Sequence, residues 1–183
     1  MIEEIIKIDA DDNVIRCLSP SKSFNIAGFQ SSIVHATNSE LLEKIKTQMH
    51  VDNSDACNVF ATSAVMAAYN ESSEWLDELK DVLYKNKSIV RDYLAEELPV
   101  VKLVESDATY LLWLDCSALG VSSKILSEFL RSNQGLFLSA GCDFGKCGDN
   151  FLRMNIACPE KLLDEGLRRL KAGIISLNNI KSF

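Results

Sequence analysis

Ser19-Pro20-Ser21-Lys22-Ser23-Phe24-Asn25-Ile26-Ala27-Gly28-Phe29 is the stretch from which the rest of the chain can be read. The run before it, Val14-Ile15-Arg16-Cys17-Leu18, has the branched apolar content of a strand. It delivers a lysine into a loop dense with hydroxyls, and the loop then opens into a short helical turn. Lysine condenses with carbonyl compounds, and a desolvated lysine loses its proton readily and becomes nucleophilic. Hydroxyls and free backbone N–H groups at a helix start suit a phosphate. Residues of this kind fit a lysine that carries pyridoxal 5′-phosphate (PLP), with part of the phosphate cup. The competing reading is a solvated lysine in a serine-rich turn, because short patterns of this kind recur by chance.

Three later segments bear on the choice. They are Ala108-Thr109-Tyr110-Leu111-Leu112-Trp113-Leu114-Asp115, the glycine-rich Gly141-Cys142-Asp143-Phe144-Gly145-Lys146-Cys147-Gly148, and Phe151-Leu152-Arg153-Met154-Asn155-Ile156-Ala157-Cys158-Pro159. A helix pattern with Trp75, Leu76, Glu78, Leu79 and Leu83 lies between the lysine and these. In this order and spacing, the chain from about Asn13 to about Leu177 resembles the C-terminal half of a fold-type-I PLP enzyme of the class I/II aminotransferase superfamily. Within it, the chain most resembles the MalY/PatB branch of cystathionine β-lyase-like C–S lyases.

The resemblance implies an α/β chain. Residues 1–75 would be the remainder of the PLP-binding large domain, 76–98 a linking helix, and 99–183 an α+β small domain with a mostly antiparallel sheet. It implies PLP as cofactor, an amino acid as substrate, a homo-oligomer, and either C–S lyase or aminotransferase chemistry. Lys22 is then the catalytic lysine, holding the cofactor and moving protons at Cα. Ser19 matches the family's phosphate-binding serine, and Ser21 beside it is a second phosphate candidate or a simple turn residue. Arg153 is the candidate anchor for the substrate carboxylate. Its planar fork matches a carboxylate through two charge-assisted hydrogen bonds, and an arginine amid Phe151, Leu152 and Met154 is costly to bury unpartnered. A salt bridge to a local acid such as Asp149 is the alternative. Tyr110, Trp113 and Phe144 could line a pocket, but aromatics in strands are more often core and they are not counted as site residues, while Asn25 and Gly28 shape the lysine loop.

The chain also departs from the family pattern. Gln30 stands where many aminotransferases place a phosphate-binding arginine, which tilts the reading toward β-elimination. Ala108 replaces a glycine, and Asp55-Ala56-Cys57 replaces a segment that usually carries a histidine. The pyridine-facing acid, the ring-stacking aromatic and the glycine-containing phosphate loop belong to the N-terminal half, and none is found before Asn13. The expectation is therefore weak or absent PLP binding and little turnover by this chain alone. A non-catalytic remnant or interaction domain of the same fold is the alternative.

Bulk properties agree with a cytoplasmic globular chain. The 183 residues are 47% hydrophobic and 25% charged, and the net charge of −7 argues against nucleic acid or anionic membrane as partner. No apolar run approaches the ~20 residues that span a bilayer, and Met1-Ile2-Glu3-Glu4 lacks the basic start of a secretory leader. Six cysteines and two isolated histidines show no metal-ligand spacing beyond Cys142 and Cys147.

The patterning predicts a strand at 31–36, a helix capped by Asn38 or Ser39, a buried helix over 58–69 and a long helix from Ser72 or Ser73 to Leu98. Beyond Pro99 it predicts strands at 100–104, 109–114, 136–139 and 151–157, with helices over 122–132 and 159–177.

Overall fold

The computed structural model describes residues 13–181, and the chain divides between Leu79 and Lys80 into two compact units. In the first unit, β1 (Ile15–Leu18) pairs antiparallel with β2 (Ile33–Ala36), Leu18 facing Ile33. The ribbon holds the two ends of the lysine loop side by side. Helix α1 (Ser39–Val51) follows, and the Asn38 side chain accepts from the N–H groups of Glu40 and Leu41 at 3.0 and 3.1 Å. That contact satisfies two donors that a helix start otherwise leaves unpaired.

Helix α2 (Ala61–Glu71) differs from its sequence reading. It starts later than residue 58 and buries only Ala61 and Ala68, while Met66 is 58% exposed. A helix that is apolar all round buries only the face for which a neighbour exists, and in this structure the rest of α2 stays open. Helix α3 (Ser73–Glu97) ends two residues before Pro99, which cannot continue a helix. The boundary between the units falls inside it.

The second unit is a four-stranded antiparallel sheet in the order β3-β4-β6-β5, formed by β3 (Lys102–Leu103), β4 (Leu111–Asp115), β5 (Ser139–Ala140) and β6 (Phe151–Asn155). Its helices are the later turns of α3, α4 (Ser123–Gln134) and α5 (Glu160–Lys181). Leu112 and Leu114 on β4, and Leu152 and Met154 on β6, alternate with half-buried neighbours. They join Val90 and Leu94 of α3, Leu126 and Leu130 of α4, and Leu163, Leu167, Leu170 and Ile174 of α5 in one core. Each such side chain stabilises the fold by roughly 1.5–3 kcal/mol relative to exposure. Buried Asn86 on α3 donates to the carbonyls of Ile156 and Cys158 at 2.8 and 2.9 Å, tying the helix to the chain beyond β6.

The predicted strand at 136–139 shrinks to Ser139–Ala140 for an identifiable reason. After Gly135 turns left-handed at φ 60°, the Leu136 N–H goes back to the Leu130 carbonyl at 3.2 Å, and the Ser127 hydroxyl takes the Leu138 carbonyl at 2.6 Å. Residues 136–138 thus commit backbone groups to α4 rather than to a strand partner. Likewise β6 stops at Asn155, whose side chain accepts from the Ala157 N–H at 2.8 Å and starts a turn.

Candidate functional site

The lysine loop runs from β1 to β2 and is turned by local backbone bonds. The Phe24 N–H donates to the Pro20 carbonyl at 3.0 Å and the Ile26 N–H to the Ser21 carbonyl at 3.1 Å. Phe24 is buried and anchors the loop, edge-on to Tyr69 at 5.6 Å and stacked on Trp75 at 6.3 Å between ring centres. The left-handed positions fall on Asn25 (φ 54°) and Gln30 (φ 50°). Gly28 has no positive φ, and a Cβ there would meet nothing within 4 Å. The expected loop-shaping role therefore belongs to Asn25 and Gln30 rather than to Gly28, since asparagine is among the residues that tolerate this region best.

Ser19 and Ser21 are brought together. The Ser19 hydroxyl lies 2.9 Å from that of Ser21 and 3.1 Å from the Ser31 carbonyl, and it accepts from the Ser21 N–H at 3.3 Å. Lys22 follows directly and is exposed, and its amine makes no hydrogen bond or ion pair among the described residues. Two hydroxyls and an uncommitted amine thus share one turn of chain.

Arg153 lies in the second unit, at the centre of β6. Its strand partners are Trp113 on β4 and Ser139 on β5. Because Leu152 and Met154 face the helices, Arg153 projects from the opposite face of the sheet. The ion pair with Asp149 is not formed. The Asp149 carboxylate lies 3.3 Å from both the N–H and the hydroxyl of Ser123, at the start of α4. Among the described residues no carboxylate pairs with Arg153. Its guanidinium sits over the Phe144 ring, 4.1 Å from the ring centre, with the Ser139 hydroxyl at 3.5 Å, the outer limit of a hydrogen bond.

Trp113 and Phe144 do not behave as core residues. Trp113 is half-buried and edge-on to Phe144 at 5.5 Å and to Phe151 at 6.1 Å, and Phe144 is 49% exposed. The alternation of Trp113 with Leu112 and Leu114 on β4 was the available sequence signal for the outer face, but only the register puts it beside Arg153, and Phe144 comes there on the loop after β5. Beyond this cluster, Ser139 and Asp143 border a shallow cavity of about 180 Å³ that Lys124 and Glu128 also line.

The family described as aminotransferase class I and II matches residues 1–170. The chain belongs to that family. Among relatives of the aminotransferase class, the cystathionine β-lyase PatB of Bacillus subtilis is 37% identical over 166 residues, covering 91% of this chain and 43% of that protein. Cystalysin from Treponema denticola, whose structure contains PLP, is 31% identical with a TM-score of 0.86, over 91% of this chain and 42% of that one. The PLP-bound C–S lyase from Staphylococcus hominis is 29% identical with a TM-score of 0.80, over 91% of this chain and 43% of that one. The chain thus spans less than half the length of these class I and II relatives, and their fold over that span is its own. Among its described residues no helix is long and apolar enough to cross a membrane.

Proposed function

We propose that this chain is the C-terminal portion of a PLP-dependent C–S lyase of the cystathionine β-lyase type, with an aminotransferase as the second reading. One observation carries the proposal: an uncommitted Lys22 amine follows two mutually bonded hydroxyls in a family-matched loop. The donor set fits PLP chemically, offering a primary amine for an aldehyde and hydroxyl donors for a phosphate.

Lys22 would hold the aldehyde end of the cofactor, and Ser19 and Ser21 the phosphate. The bound group supplies an electron sink for charge developing at the substrate Cα. Lys22 would also move the proton at that Cα. Arg153 binds the substrate carboxylate through the in-plane N–H edge of its guanidinium. In a lyase the electron pair left at Cα expels a thiolate from Cβ. Gln30, in place of a phosphate-binding arginine, favours this outcome over transamination. The domain reading follows the same proposal: residues 1–75 as the remainder of the cofactor domain, 76–98 as the link, and 99–183 as the small domain. An amino-acid substrate, a homo-oligomer and a cytoplasmic setting belong to it too.

The chain by itself is expected to bind PLP weakly and to turn over little cystathionine or cysteine. Reduction with borohydride at limiting PLP, followed by mass mapping, tests the Lys22 assignment. Selective pyridoxyl labelling of Lys22, lost in Lys22→Ala, is the expected result. Labelling spread evenly over the lysines would overturn the assignment, and substantial lyase turnover by the 183-residue chain would overturn the expectation of inactivity.

A further inference from the structure

We propose that Phe144 is a positioning residue for Arg153: its ring seats the guanidinium by one face and leaves the N–H edge free for a carboxylate. This rests on the carboxylate reading of Arg153. An arginine is ordinarily held by an acid, yet an acid would occupy the same N–H edge that a substrate carboxylate needs. An aromatic face avoids that competition, because it attracts the cation above its plane. The 4.1 Å separation between the guanidinium carbon and the Phe144 ring centre is of that kind. Asp149, four residues before Arg153 in the sequence, is committed to Ser123, and neither it nor Asp143 forms an ion pair with Arg153.

The seat is built rather than incidental. Trp113 stands edge-on to Phe144, with ring planes at 85°, and is itself the strand partner of Arg153. The loop that carries Phe144 is also pinned at both ends. A Cβ on Gly141 would fall 2.1 Å from the Gly148 oxygen, and one on Gly148 would fall 2.1 Å from the Gly141 oxygen, so the two backbones touch where only glycine fits. Beside that contact, buried Ser123 accepts from the Cys142 N–H at 3.1 Å and donates its own N–H to the Asp149 carbonyl at 2.6 Å. A half-exposed ring on such a loop stays where Arg153 meets it.

The test uses the full chain and the arginine reagent phenylglyoxal. The modification rate of Arg153, divided by that of exposed Arg168, is read by peptide mass mapping. Phe144→Leu keeps the bulk and removes the aromatic face, so the ratio should rise about 2- to 5-fold, the range of a surface cation–π contact. Phe144→Tyr keeps the face and should restore the wild-type ratio. Equal ratios in all three proteins, or an equal rise in both variants, would overturn the role of Phe144. A second arm compares sodium acetate with sodium chloride at matched ionic strength. Protection of wild-type Arg153 by acetate beyond chloride is expected, and its absence would instead overturn the carboxylate reading.

Discussion

The lysine-bearing unit and the arginine-bearing unit are built to different standards of closure. In the second, helices α3, α4 and α5 cover one face of a four-stranded sheet, and leucines on every layer are buried completely. In the first, the buried apolar residues among those described are Phe24, Ala36, Ala61 and Ala68, while Val51, Val59, Phe60 and Met66 are each more than half exposed. The contrast teaches where stability and chemistry reside. The arginine unit owes its shape to its own core, whereas the lysine loop is held by a ribbon, a few turn bonds and one anchored ring.

The largest test of that contrast is alkaline. Burial pushes the Cys116 thiol from its ordinary 9.0 up to about 12. The unfolded thiol ionises near the lower value while the folded one keeps its proton, so stability is whole below that pH and falls as pH rises toward the upper value. The loss from this one group reaches about 4 kcal/mol at the top of the window. Urea midpoints across this range should fall more steeply for the native chain than for Cys116→Ala, and parallel slopes would break the claim.

Side-chain truncation sharpens the same contrast. Leu152→Ala, at a fully buried site on β6, should lower stability by about 3 kcal/mol in calorimetry or urea unfolding. Met66→Ala, on the open face of α2, should change it by less than about 0.5 kcal/mol. Similar costs at both sites would mean that the first unit is closed as well as the second. An effect smaller than the core truncation is local: Asn38→Ala removes the acceptor for two N–H groups of α1 and should cost about 1 kcal/mol, seen as faster hydrogen exchange in the first turn of that helix.

Much of the fold was legible from pattern. The spans of α1, α3, α4 and α5 follow from apolar spacing and from Asn38, Ser122 and Pro99 at their ends. The strands were less so, because Leu136 and Leu138 have strand-like composition but their backbone groups are claimed by α4. The burial of α2 was misread for a related reason, since apolar content reports what a helix can bury and not what lies against it. Of the proposed site residues, Ser19 and Ser21 are close in space because they are two positions apart in sequence.

The sequence by itself determined the lysine loop and the order of motifs that places the chain among the aminotransferases, because both are local strings whose chemistry travels with the residue types. Only the tertiary structure decided what surrounds Arg153. The antiparallel register sets Trp113 and Ser139 on either side of it, the Gly141–Gly148 contact brings Phe144 over it, and Ser123 draws Asp149 away. Trp113 and Ser123 come from segments distant from Arg153 in the chain, and even for the nearer Ser139, Phe144 and Asp149 it is sheet pairing and backbone contact, rather than spacing, that set the arrangement.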